Sequence, residues 1–217
     1  MKRILYLLAL SVSLYSCSVS KPSSKRIQLF DGKTFRGWEG DTVNTWRIQD
    51  GALVGGSLNS KIPHNEFIST TKSYSDYSLK LKFKLISTDG LVNAGLVNAG
   101  VQFHSQRISN PPYEMMGYQA DLGKDYWASL YDESRRNKLL ATADPEKIKK
   151  LLRVNEWNDY EVRTQGRRIQ IFLNGEQTVD YTEENLTIPK TGLIALQIHG
   201  GGPAEAHYKD LMLTLLP

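Results

Sequence analysis

Between residues 79 and 85 the chain alternates without a break. Leu79, Leu81, Phe83 and Leu85 are apolar, and Lys80, Lys82 and Lys84 stand between them. Successive side chains of an extended strand point to opposite faces, so this spacing puts four apolar groups on one side and three ammonium groups in water. An α-helix, at 3.6 residues per turn, would scatter the same residues around its axis.

The same period returns downstream. Residues 160–164, the turn Gln165-Gly166 and residues 168–173 read as a hairpin with Ile169, Ile171 and Leu173 facing inward, and Asn174-Gly175 marks the next turn. Further strands are expected at 45–48, 52–54, 101–104, 118–122, 193–199 and 208–215. A single segment reads as helix: Asp144 can cap it, Pro145 suits its first turn, and Ile148, Leu151 and Leu152 form a short apolar stripe. Many short strands without βαβ alternation predict an all-β fold, a sandwich or jelly roll of two antiparallel sheets with at most one short helix. Leu-Val-Asn-Ala-Gly occurs twice, at 91–95 and 96–100, and reads as a loop duplication leading into the strand at Val101.

The first residues read as an address. Lys2 and Arg3 precede an apolar run of about a dozen residues, too short to span a bilayer, and the run ends at Cys17, the only cysteine of the chain. A small residue directly before a cysteine at that point resembles the lipobox of bacterial lipoproteins. The expected organisation is a signal peptide over 1–16, a lipidated tether over 17–26 and one domain over 27–217. That describes an exported lipoprotein of the bacterial cell envelope, periplasmic or on the outer membrane, held to the membrane by its lipid alone. One thiol allows neither an internal disulfide nor a cysteine-based zinc site. The chain of 217 residues has a formal net charge of +4, and two of its positive charges fall in the leader. So small a charge gives no basic footprint for nucleic acid.

Three of the expected strands carry polar pairs of one parity. Gln102 and His104 alternate with Val101 and Phe103. Gln119 and Asp121 share a face, and so do Gln197 and His199. A merely solvated face would carry Lys or Glu. Gln, His and Asp suit sugar hydroxyls, which need both a donor and an acceptor. If the three strands are neighbours, these faces make one concave wall. Tyr126, Trp127 and Tyr131, followed by Asp132, Glu133, Arg135 and Arg136, offer a stacking surface beside acid, base and cationic groups. Neither a zincin motif nor a Gly-rich phosphate loop is present.

Several blocks then resemble one family in the right order. They are residues 29–38 (LFDGKTFRGW), 46–53 (WRIQDGAL), 99–107 (AGVQFHSQR), 117–123 (GYQADLG), 130–136, 156–162 (EWNDYEV) and 192–200. Together they are similar to the 3-keto-disaccharide hydrolase domain family, over about residues 27–216. The resemblance implies a concanavalin-like jelly roll and activity on glycosides whose sugar is oxidised at carbon 3. A ketone there acidifies the proton on carbon 2 and places the aglycone oxygen β to the carbonyl, so a base can start an elimination that water addition completes. Such chemistry needs a base, a partner for the enolate oxygen and an acid for the leaving oxygen.

On the matched blocks, His199 or Asp121 is the expected base, Arg135 the enolate or substrate clamp, and Asp132 or Glu133 the acid. Gln102, Gln119 and Gln197 would orient hydroxyls, with His104 on the same wall, and Trp127 and Tyr131 would stack on a sugar ring. A divalent metal held by His and carboxylate could replace Arg135 as the electrophile, and the sequence leaves both alternatives open. The chain departs from the usual family wording at His104, where Arg is expected, and in the duplicated loop. A non-catalytic carbohydrate-binding surface lipoprotein is the alternative reading.

Overall fold

The computed structural model describes residues 25–88 and 97–217. The signal peptide, Cys17, most of the tether and the first Leu-Val-Asn-Ala-Gly copy lie outside the described residues. Fifteen strands follow in order: β1 (Arg26–Gln28), β2 (Trp38–Glu39), β3 (Trp46–Gln49), β4 (Ala52–Ser57), β5 (Glu66–Thr70), β6 (Tyr77–Ser87), β7 (Asn98–Arg107), β8 (Met115–Gly123), β9 (Leu130–Glu133), β10 (Lys138–Ala141), β11 (Asn158–Gln165), β12 (Arg168–Leu173), β13 (Glu176–Thr182), β14 (Leu193–Ile198) and β15 (Ala204–Leu215). One helix, α1 (Pro145–Leu151), lies between β10 and β11.

The strands form two antiparallel sheets packed as a jelly-roll sandwich. The first runs β13-β12-β11-β6-β15-β4-β3, with β1 added on β15, and the second runs β10-β9-β8-β7-β14-β5-β2. The alternating strand is β6, near the middle of the first sheet. Its Leu79, Leu81, Phe83 and Leu85 are buried in the core. On its outer side Lys80 and Lys82 pair with Glu161 and Asp159 of β11 at 3.4 and 2.5 Å. Asn174 and Gly175 both take positive φ, 49° and 87°, as the tight turn between β12 and β13 requires. Asp144 caps α1 by accepting from the Glu146 N–H at 2.9 Å, and Ile148 is the helix's buried residue.

Tyrosines link the two sheets. From the first sheet, the Tyr208 hydroxyl donates to the Gln197 carbonyl at 2.8 Å and the Tyr160 hydroxyl to the Asp121 carbonyl at 3.3 Å. The backbone that carries the candidate polar wall is thus held from behind.

One irregularity changes the parity of β7. Phe103 pairs with Tyr118, but the next aligned pair is Gln106 with Met116, so β7 carries one extra residue. That is a β-bulge, and His104 sits in it at φ +47°. Two glycines make room for it. A Cβ on Gly192 would meet the His104 and Ser105 backbone, and one on Gly117 would meet the Ser105 side chain.

Candidate functional site

The strands β8, β7 and β14 are direct neighbours. Register therefore sets their outward residues side by side on the face turned away from the first sheet. Tyr131, Gln119, Gln102, Ala195 and Ser69 form one row across the sheet, and Asp121, Gly100, Gln197 and Phe67 form the next. Gln102 and Gln197 are fully buried, and Gln119 and Asp121 are 2% and 4% exposed. Both amide atoms of Gln102 and Gln197, and Oε1 of Gln119, are buried without a protein hydrogen-bond partner. A buried amide left unpaired costs about 1–3 kcal/mol, so such a cluster points to a ligand's or water's hydroxyls.

The floor between these side chains is small. A Cβ on Gly100 would lie 2.5 to 2.9 Å from the Gln119 side chain, which shows that Gln119 folds across Gly100. Beyond Ala195, the residues Phe67, Met115 and Leu193 complete a minor apolar cluster, separate from the main core. Arg107 crosses this end and donates through Nη2 to the Phe67 and Glu39 carbonyls at 3.1 and 3.3 Å. Residues 108–114, between β7 and β8, are pinned to the β4–β5 connection. Tyr113 stacks on His64 with centroids 3.6 Å apart, and Glu114 accepts from Asn65 Nδ2 at 3.2 Å.

Two carboxyls on this face keep their protons unusually well. Burial raises Asp121 to about 8, helped by Glu133 and opposed by hydrogen bonds from the Leu122 N–H and Gln119. Burial also raises Glu133 to about 7, with Glu114 adding to the effect. Tyr131 lies in the next row from Glu133 and meets Tyr126 edge to face at 6.3 Å. Raised carboxyls beside unpartnered amides are the means for moving protons at near-neutral pH.

Not every expected residue joins this face. The bulge turns His104 inward, where its Nε2 lies 2.8 Å from the Ser75 carbonyl and its ring meets Tyr77, Phe103 and Tyr118 edge to face. The expectation that His104 shares the Gln102 face is corrected by that single extra residue. Asp132 pairs with Tyr118 in register, on the sheet's inner side, and is fully buried. Arg135 Nε donates to its two carboxylate oxygens at 2.8 and 3.1 Å, and Arg136 Nε donates to Oδ2. Arg136 continues to Glu183 at 2.7 Å, and the Arg135 guanidinium sits 4.5 Å above the Tyr118 ring. Asp132 and Arg135 thus belong to an interior ion-pair network, and Glu133, not Asp132, is the carboxyl of that pair on the polar face.

Trp127 is also elsewhere. It packs at the end of the sandwich against Phe83, with ring centroids 6.3 Å apart, and the aromatic beside Tyr131 is Tyr126. His199 is exposed, two residues beyond Gln197 at the rim of the face, with Nδ1 2.7 Å from the Gly200 carbonyl. Among the described residues no group of three or more His, Cys, Asp and Glu is arranged to hold a metal ion. Glu114, Tyr126 and Arg107 reach the site from positions that no periodicity marks.

The fold and this face define a lectin- and glucanase-type jelly roll with a polar, carboxyl-bearing outer sheet. Residues 25–214 match the model of the 3-keto-alpha-glucoside-1,2-lyase-like domain, and the chain belongs to that family. Its name is that of a carbohydrate-cleaving domain, which agrees with the blocks noted in the sequence. No curated protein sequence matches the chain. Among solved structures it is similar to a candidate glycosyl hydrolase from Parabacteroides distasonis, at 21% identity and TM-score 0.64, covering 88% of this chain and 94% of that one. A carbohydrate-binding module from Bacillus subtilis aligns at 18% identity and TM-score 0.60, over 81% and 93%. The kappa-carrageenase of Pseudoalteromonas carrageenovora, solved with an oligotetrasaccharide, aligns at 11% and 0.55, over 93% and 98%. At these identities the likenesses establish the fold.

Proposed function

We propose that this protein cleaves glycosides whose sugar carries a ketone at carbon 3. The observation that carries the reading is the shared outer face on which Asp121 and Glu133, raised to about 8 and about 7, stand beside three glutamines with unpartnered amide atoms. Glu133, close to half ionised at neutral pH, removes the carbon-2 proton. The C–H electron pair enters the enolate, whose oxygen accepts from glutamine N–H groups. When the carbonyl re-forms, the C1–O bond breaks, a C1–C2 double bond appears, and the leaving oxygen takes the proton that Asp121 holds. Water then adds across the double bond to give the free 3-keto sugar. Both raised carboxyls sit near the operating pH, where proton transfer is most effective. His199 at the rim is the alternative base.

Incubation with 3-keto-trehalose and unoxidised trehalose tests this. Only the keto sugar is cleaved, and Glu133→Gln abolishes turnover while His199→Ala retains it. Cleavage of the unoxidised sugar defeats the elimination, and binding without cleavage of either sugar makes the protein a carbohydrate-binding module.

Residues 1–17 support an exported, lipid-anchored chain. The test is incorporation of labelled palmitate, lost in Cys17→Ser.

A further inference from the structure

The outer face of the first sheet carries a surplus of positive charge. Register puts Arg26 of β1, Lys80, Lys82 and Lys84 of β6, Arg163 of β11 and Lys209 of β15 on that side. Most carboxylates of the face are already engaged. Glu161 and Asp159 pair with Lys80 and Lys82, Asp180 with Arg168, and Glu205 with Arg47 and His207. Arg26, Lys84, Arg163 and Lys209 form no ion pair with any described residue. Asp210, exposed in the bulge of β15, and Glu156, beside Trp157, leave a surplus in place. We propose that this face docks on the anionic phospholipid headgroups of the membrane that the lipid anchor enters, so that the polar face of the second sheet points away from the bilayer. The inference rests on the anchor at Cys17 proposed above and adds the orientation of the domain above it.

Three observations carry it. The first is the contrast between the two outer faces. On the second sheet, Glu39, Glu114 and Glu133 stand against Arg107. An anionic surface attracts the first face and repels the second, so the two faces together select one orientation. The second is Trp157. The Lys84 and Lys209 ammonium groups lie 5.1 and 4.2 Å from the centre of its ring, and His207 meets the ring edge to face at 6.3 Å. The indole is partly exposed on this outer side. Indole and ammonium together suit the headgroup level of a bilayer, where the ring sits in the interface and the charges meet phosphate.

The third is where the tether joins the domain. The Lys25 carbonyl accepts from the Leu215 N–H at 2.9 Å, and β1 then pairs with the end of β15 on the first sheet. Met212 of that end lies between Gln28 of β1 and Lys80 of β6 in register, so the basic face begins where the tether attaches. From Cys17 to Lys25 the chain reaches about 28 Å at most. So short a tether holds the face at high effective concentration over the bilayer, and weak headgroup contacts then suffice. An acyl anchor joined to a basic patch is a two-signal attachment.

The experiment uses the full-length protein. It is mixed with vesicles of phosphatidylcholine alone or of phosphatidylcholine with phosphatidylglycerol, and acetylation of each lysine by a water-soluble reagent is followed by mass spectrometry. Lys80 and Lys209 report on the docked face, and Lys138, exposed on β10 at the edge of the second sheet, is the control. On the anionic vesicles Lys80 and Lys209 react about tenfold more slowly than on the neutral ones, and Lys138 is unchanged. Salt at 1 M, where the Debye length is about 3 Å, removes the difference. The double variant Lys84→Glu/Arg163→Glu, with the wild-type circular dichroism spectrum, loses the protection of both reporters. Equal rates on the two kinds of vesicle, or protection of Lys138 as strong as that of Lys80, overturn the docked face. Palmitate uptake at Cys17 without lysine protection overturns the orientation and leaves the anchor. Charge-dependent protection in a chain that takes up no palmitate overturns the anchor and leaves the basic face standing.

Discussion

The side chain of Gln119 occupies the space above Gly100 on the adjacent strand, so that a single added methyl at residue 100 would sit 2.5 Å from its Cδ. The two residues act as one unit. The absence of a side chain at 100 allows the amide at 119 to lie across it and hydrogen-bond Asp121.

Gly100→Ala pushes Gln119 out of that position. Overpacking of this kind costs about 1–3 kcal/mol. The functional loss is larger in proportion, because the amide no longer meets the hydroxyls it orients. Urea denaturation and sugar titration, run on the same preparations, separate the effects. Sugar affinity unchanged in a variant with lowered stability would show that Gln119 contributes nothing to binding.

Asp121 makes stability fall as pH rises. Its folded pKa of about 8 lies above the unfolded value of 3.8, so between those limits the folded protein binds more protons than the unfolded chain. Stability from this group is fully present below about pH 4 and is lost as pH rises through 8, with a slope of at most about 1.4 kcal/mol per pH unit. Glu133 adds the same sign between its unfolded value of 4.5 and about 7. Denaturant midpoints measured from pH 4 to 9 should show the decline, and Asp121→Asn should flatten it. An unchanged slope in that variant would assign the effect to other groups.

His104 works in the opposite direction at lower pH. Burial lowers its pKa below 6.5, so the unfolded chain takes up a proton first and stability drops as pH falls below about 6.5. Replacement by Asn, which tolerates the left-handed backbone of the bulge, removes this acid sensitivity. Nuclear magnetic resonance titration of the His104 ring provides the direct check: titration at or above 6.5 would contradict its neutral, interior state.

The neighbouring carboxyls Asp132 and Glu133 should give opposite phenotypes. Asp132→Ala leaves two guanidiniums facing a fully buried gap and destabilises by about 3–5 kcal/mol, read in a thermal or urea melt. Glu133→Gln keeps the fold and removes turnover. If the Asp132 variant melts like wild type, the interior network is not holding β9 in place.

How much of this was legible in the residues varies with the physics involved. The strand at 79–85 is unambiguous because one face is wet and the other dry. β5 is not, because all five of its residues are buried and the period disappears. β9 and β10 were hidden in a segment whose charges suggest a turn, since the pairs that neutralise Asp132 form only when β9 lies over the core. The polar wall followed from parity alone for Gln102, Gln119, Asp121 and Gln197. Parity failed for His104, because a bulge is a local backbone event that leaves no mark in the hydropathy pattern. Trp127 was misplaced for a related reason: its neighbours in sequence reach the polar face, but the turn at 124–128 carries the indole to the sandwich's end.

The extra residue in β7 has a genetic consequence. Ahead of the bulge the even-numbered residues of this strand are presented outward, and after it Arg107, paired with Met115, takes that side. Deleting codon 105 would restore strict alternation and set His104 opposite Gly117 on the outer face, while leaving Gln102 and Arg107 where they are. The bulge is thus a one-codon insertion that withdraws an imidazole from the wall, and an in-frame deletion of three nucleotides would return it without altering the half that carries the glutamines.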